Sequence, residues 1–102
     1  MITKDIELLN EVFNTVKAGV IGEYDQLEYE VFIGDGYIDT VLVVRLNGVE
    51  VDQSNYLINN SLIYKMVKSL KESANGRGEF WKSFMISFKD GGQVKVKFEY
   101  GQ

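Results

Sequence analysis

Hydrophobic positions recur along the chain with two different periods, and the changes of period divide it into elements. From residue 2 to 20, Ile2, Ile6, Leu9, Phe13, Val16 and Val20 follow one another at steps of mostly three and four, which lines them up on one stripe of an α-helix. Asp5, Glu7 and Glu11 lie toward its start and Lys17 near its end, the arrangement a helix macrodipole favours. Gly19 supplies a C-terminal stop. After a connector at Gly22–Gln26 the period drops to two. Leu27–Leu46 predicts a β-hairpin turning at Asp35-Gly36, a dipeptide suited to the positive φ angles of a two-residue type I′ loop. That register sets Ile33 opposite Ile38, Val31 opposite Thr40, Tyr29 opposite Leu42 and Leu27 opposite Val44, so one face is almost wholly apolar. Asn47-Gly48 predicts a further turn into a short strand, Val49–Asp52, with Arg45 opposite Glu50.

Gln53–Ile58 carries no clear period. A second helix follows over about Asn60–Asn75, with Ile63, Met66, Leu70 and Ala74 inward and Asn75-Gly76 as its C-cap. The last fifth, Phe80–Tyr100, alternates again. Phe84, Ile86 and Phe88 match Val94, Val96, Phe98 and Tyr100 when the loop is the three residues Asp90-Gly91-Gly92, which pairs Phe88 with Val94, Ile86 with Val96 and Phe84 with Phe98. A two-residue loop would set Phe88 opposite a polar side chain. The fold class is therefore α+β: a helix, a three-strand antiparallel meander, a second helix and a C-terminal β-hairpin. One mainly antiparallel sheet with both helices on one face is the simplest way to bury these stripes, within a single domain spanning residues 1–102. The pattern leaves the strand order open.

Composition narrows the chemistry. The chain has no Cys and no His, which removes thiolate chemistry and the commonest general base and metal ligand. No apolar run approaches the length of a membrane-spanning helix and no signal peptide precedes the domain, so the cytoplasm is the expected compartment. Gly34-Asp35-Gly36 fails as a calcium loop, because Val31, Ile33 and Leu42 would fall at ligand positions. Gly76-Arg77-Gly78 lacks the length and the Lys-Ser/Thr of a phosphate-binding loop. Glu28 and Glu30 could do acid–base work as a pair, but a solvated strand face explains them better. No cofactor or metal is expected, and an enzyme is not.

Charge is distributed unevenly. Residues 1–60 hold three basic residues against eleven acidic ones, a balance of −8, whereas residues 61–102 hold eight against four, a balance of +4. An acidic half repels phosphates and argues against nucleic acid as its partner; it would steer a basic protein toward itself. Alternatively, the two halves neutralise each other within the fold.

The remaining candidate is the sheet face turned away from the apolar one. It is expected to show Glu28, Glu30, Phe32, Asp39, Val41 and Val43 from the meander, and Trp81, Met85, Lys89, Lys95 and Lys97 from the last hairpin. An apolar and aromatic centre with charged flanks suits a protein-binding surface. Equally, if the two hairpins are neighbours in one sheet, Lys95 and Lys97 sit beside Glu28 and Glu30 as cross-strand pairs, with a loop or a second copy covering the apolar members.

The closing hairpin resembles the C-terminal signature of the YezG-like immunity proteins of bacteria. In that family a Trp opens a strand of alternating aromatics, an acidic-Gly turn follows, and the chain ends near an aromatic–acidic–Tyr strand. Here Trp81, Phe84, Phe88, Asp90, Gly92, Phe98, Glu99 and Tyr100 match it, about a fifth of the sequence; elsewhere only length and element order agree. Lys95 and Lys97 depart from the more acidic strand expected there, so the acidic meander is the better candidate to meet a basic partner. The resemblance implies a small antitoxin, without catalytic residues, that binds and blocks a cognate protein toxin, often a nuclease domain. On that reading Glu28, Glu30, Asp35, Asp39, Glu50 and Asp52 supply electrostatic complementarity and Phe32 and Tyr37 the buried anchors. The alternative is a self-associating adaptor or phage-type regulatory module, a homodimer through the open sheet face. A small-ligand binder would need a pocket that sequence does not reveal.

Overall fold

A computed structural model of the chain describes residues 3–34 and 36–100. These form two compact units, a helical one comprising the chain up to Ile21 with Tyr56–Phe80, and a sheet comprising Gly22–Asn55 with the chain from Trp81 onward.

The helical unit contains α1, Thr3–Ala18, and α2, Asn60–Gly76. Helix α1 buries Asp5, Leu9, Val12, Phe13 and Val16, a stripe turned from the expected one. Ile6 is 48% exposed, Val12 takes its share of the core, and Ile2 lies outside the described residues. The rotation is tolerated because the buried carboxylate of Asp5 is satisfied. It accepts hydrogen bonds from Ser73 Oγ at 3.0 Å and Arg77 Nη2 at 2.5 Å, while Arg77 Nε also donates to Glu79 at 2.6 Å. Hydrogen bonds to the two carboxylates, Asp5 first, push the Arg77 guanidinium pKa above its ordinary value.

Helix α2 opens on Asn59, whose side-chain oxygen accepts from the Leu62 N–H. Its end differs from expectation. The helix runs through Gly76, and the left-handed residue is Gly78, at φ +79°. The Gly78 N–H donates to Asn75 O and the Glu79 N–H to Ala74 O, the paired bonds of a Schellman motif. Gly76 is an ordinary helical residue there. The segment between the strands and α2, unassigned from sequence, forms a 3₁₀ turn at Gln53–Asn55 and an isolated bridge of Tyr56 to Val20. Close by, the Leu57 N–H donates to Gly19 O at 2.6 Å, and a Cβ on Gly19 would stand 2.7 Å from Leu57 O and Ile58 Cδ1. Gly19 is needed for this close approach of two backbones.

The sheet contains β1 (Gln26–Gly34), β2 (Tyr37–Leu46), β3 (Val49–Glu50), β4 (Trp81–Lys89) and β5 (Lys95–Tyr100), all antiparallel, in the order β3-β2-β1-β4-β5. The meander register is the expected one, with Ile33 opposite Ile38 and Leu27 opposite Val44. The second turn has φ +53° at Asn47 and +81° at Gly48, as type I′ requires, although β3 is only two residues long. Asp25 ties the strand ends together. Its N–H donates to Arg45 O, its carbonyl accepts from the Asp90 N–H, and its carboxylate accepts from the Asn47 N–H.

The closing hairpin pairs Ile86 with Val96 and Phe84 with Phe98 as predicted, but the ladder stops at Ser87 opposite Lys95, so the Phe88–Val94 pair does not form. The Gly92 N–H returns to Lys89 O across a turn with φ +81° at Gly91. At the other end Trp81 pairs with Tyr100 and Ser83 with Glu99, leaving Lys82 as the extra residue of a β-bulge. The bulge reverses the alternation and puts Trp81 on the same face as Phe84. Trp81 is 2% exposed, edge-on to Phe84 at 5.3 Å and tilted against Phe98 at 5.4 Å. The expectation that Trp81 lies on the open face is thereby corrected. A single extra residue in a strand leaves no mark on its composition.

Four outcomes follow from this geometry. Gly19→Ala lowers stability by about 1–3 kcal/mol through forced displacement of the Leu57–Ile58 backbone, whereas Gly76→Ala, whose added Cβ meets nothing within 4 Å, raises it by about 0.5 kcal/mol; urea denaturation of the two variants checks the opposite signs. Asp5→Asn weakens the charged hydrogen bond to Arg77 and costs about 1.5–3 kcal/mol, measured the same way. Fluorescence of Trp81, the chain's one tryptophan, resists acrylamide quenching in the folded protein and becomes accessible on unfolding.

Candidate functional site

The two faces of the sheet differ in burial. Leu27, Tyr29, Val31, Val44, Phe84 and Ile86 line one face and are 0–2% exposed. The opposite face is open, and its residues fall into rows set by the strand pairing. Asp39, Phe32, Ser83 and Glu99 form one row; Val41, Glu30, Met85 and Lys97 the next; Val43, Glu28, Ser87 and Lys95 the third. Arg45, Gln26 and Lys89 form a fourth.

Of the residues expected to meet a partner, Glu28, Glu30, Phe32, Tyr37 and Asp39 share this face, and Glu50 joins its edge opposite Arg45. Phe32 is 38% and Tyr37 57% exposed. Phe32 stands directly opposite Asp39 and diagonal to Tyr37 and Val41, within reach of long side chains. The Tyr37 ring lies over Gly34, where a Cβ would come within 2.1 Å of it. A glycine therefore gives this exposed aromatic a flat backbone to rest on. Asp35 lies outside the described residues.

Two acidic residues already have local tasks. Glu28 accepts a 2.6 Å ion-paired hydrogen bond from Arg45 Nη1, with both side chains about one-third exposed. Arg45 is opposite Glu50 in the backbone ladder, but its guanidinium turns to Glu28. Asp52 accepts from the Ser54 N–H at 2.8 Å and starts the 3₁₀ turn; this bond, then one from the Ser54 side chain, holds its pKa below the usual carboxylate value. Among the described residues, Glu30, Asp39 and Glu50 have no ion-pair partner.

The cross-strand pairing of Lys95 and Lys97 with Glu28 and Glu30 does not form. Strand β4 intervenes, so Lys95 faces Ser87 and Lys97 faces Met85. The carboxylates stand two strand spacings away, roughly 10 Å. Lys97 instead approaches Glu99 at 3.5 Å. The face is thus acidic across β1–β3 and basic across β4–β5, where Lys89, Lys95 and Lys97 project. A recess of about 420 Å³ opens where these halves meet near the β4–β5 turn, lined among others by Glu28, Ser87, Lys89, Gln93 and Lys95. Its rim carries charge of both signs, and it lies open on the sheet face without the enclosure typical of a small-ligand site. Among the described residues no group of three or more acidic side chains is placed to hold a metal ion, and no helix is long and apolar enough to cross a membrane.

No curated protein matches this chain. The family model described as immunity protein YezG-like matches residues 43–102, from the end of β2 through β3, α2, β4 and β5. That span is more than half of the sequence and contains the whole hairpin, Trp81 to Tyr100, that carries the resemblance. Glu50 and Asp52 fall within it, whereas Glu28, Glu30, Phe32, Tyr37 and Asp39 precede it. By this match the chain belongs to the YezG-like immunity protein family.

Proposed function

We propose that this immunity protein neutralises a basic toxin domain, a nuclease, by laying the acidic half of its open sheet face over the toxin's active site, without catalysis of its own. The observation that carries this reading is that Glu30, Asp39 and Glu50, which lack ion-pair partners among the described residues, share one sheet face with exposed Phe32 and Tyr37, Asp39 beside both aromatics and Glu50 at the far end of β2. A nuclease groove that holds phosphates is basic, and carboxylates set in a sheet offer it a fixed anionic surface. Phe32 and Tyr37 lose exposed aromatic area on contact, as interface anchors do. The carboxylates accelerate encounter and select against acidic partners. Glu28 contributes less than its neighbours because Arg45 already neutralises it, and Asp52 less again because the turn holds it.

The cytoplasm is the compartment in which such an antitoxin acts on an arriving toxin. Inhibition of this kind requires only a complementary surface.

The test uses the full-length tagged chain and the toxin it retains from a lysate of its source. Glu30→Lys combined with Asp39→Lys is expected to weaken that complex about 100-fold, chiefly through two reversed charge contacts, and to abolish protection of toxin-expressing cells. Lys95→Glu combined with Lys97→Glu is expected to leave both unchanged. Equal affinity of the Glu30/Asp39 variant and the unaltered chain, measured by calorimetry, would remove the acidic face from the interface.

A further inference from the structure

The outer edge of β2 is open. Strand β3 pairs with β2 only at Arg45 and Leu46, and one further bond runs from the Val51 N–H to Val44 O. The seven residues from Tyr37 to Val43 have β1 on one side and, among the described residues, no strand on the other. Their backbone orientation follows from the turn. Gly34 and Tyr37 flank a two-residue loop and form a hydrogen-bonded pair, and such pairs alternate along an antiparallel ladder. Ile38, Thr40 and Leu42 therefore aim their N–H and C=O groups away from β1. The outward carbonyl of Val44, taken by Val51, confirms this phase.

An edge of this kind is normally blunted by lysine, proline, a bulge or shortness. This one has none of them. Its sequence is Tyr-Ile-Asp-Thr-Val-Leu-Val, β-branched or aromatic at five positions, with Asp39 as its one charge.

We infer that the β2 edges of two copies pair antiparallel about a two-fold axis at Thr40, joining two sheets into one. Thr40 is the midpoint between the Gly36 turn and the bonds to the β3 segment, so a centred pairing uses the whole free edge. The sequence is self-complementary about that point. Thr40 meets Thr40 of the second copy, Ile38 meets Leu42, and Tyr37 meets Val43, all favourable cross-strand combinations. Asp39 falls opposite Val41 of the second copy, so the one charge never meets itself. The outward groups of Ile38, Thr40 and Leu42 then form six backbone hydrogen bonds, which fix a register that side-chain packing alone would not. Glu28, Glu30 and Phe32 lie on the face, not the edge, and stay uncovered.

The test is sedimentation of the full chain from micromolar to millimolar concentration, combined with amide hydrogen exchange. The expected result is a concentration-dependent doubling of the 11.6 kDa mass, with slowed exchange of the Ile38, Thr40 and Leu42 amides as the dimer forms. Val41 is 50% exposed, so its variants probe the contact. Val41→Glu sets like charges opposite Asp39 at two symmetric places and is expected to raise the dimer dissociation constant about tenfold, whereas Val41→Lys does not. A chain that stays monomeric throughout, or a dimer in which those three amides exchange at monomer rates, overturns the inference. So does protection of the three amides that appears only when a different protein is added. The exchange data come from the unaltered chain, so they decide the matter even if a Val41 variant folds poorly.

Discussion

The sheet depends on the pairing of β1 with β4. Gln26 meets Lys89 and Phe32 meets Ser83, contacts between segments separated by the meander, the 3₁₀ turn and all of α2. Closing so long a loop costs entropy before any hydrogen bond forms, and the return comes only when the whole ladder is in register. That one seam places β1 at the centre, makes β2 and β5 neighbours of its two flanks, and decides which side chains share a face. Asp25 reinforces it at the end of the ladder, where its peptide unit bonds to Arg45 on one side and Asp90 on the other. Within the helical unit, the Asp5–Arg77–Ser73 cluster plays a comparable part, linking the first turn of α1 to the end of α2.

Local chemistry explains what could be read from the amino-acid sequence. The meander register was legible because the turn dipeptides Asp35-Gly36 and Asn47-Gly48 agree with the period-two alternation, and the observed pairs of Ile33 with Ile38 and Leu46 with Val49 follow from them. The α+β order of elements was legible for the same reason. Strand order was not, because it is decided by the long-range β1–β4 seam, which no local pattern encodes. Trp81 was misplaced because a bulge shifts the phase of a strand without altering its composition. Ile6 was misplaced because a carboxylate with two partners can occupy a core position that hydropathy assigns to an aliphatic residue. The end of α2 moved to Gly78 because three closely spaced glycine and asparagine candidates offered the left-handed role, and the bonds back to Ala74 and Asn75 chose among them.

For the candidate site the division is similar. That Glu28, Glu30, Phe32, Tyr37 and Asp39 share a face follows from alternation and the hairpin register, both local. Which of the carboxylates are already engaged does not, since the partner of Glu28 is a diagonal arginine and that of Asp52 a turn amide. The expected neutralisation of Glu28 and Glu30 by Lys95 and Lys97 failed for want of the strand order. Membership of the immunity family rests on the C-terminal part of the chain, whereas most of the acidic face precedes it.

The separation of charge across the open face has a consequence of its own. With carboxylates over β1–β3 and ammonium groups over β4–β5, the face carries an electric dipole lying in the plane of the sheet, perpendicular to the strands. A partner whose own charge is unevenly distributed experiences a torque as well as an attraction near such a surface, and the torque acts at distances up to about a Debye length, ~8 Å at physiological salt. The protein can therefore set the azimuth of an incoming partner before any side chain touches it, and salt that screens this field would degrade orientation as well as encounter rate.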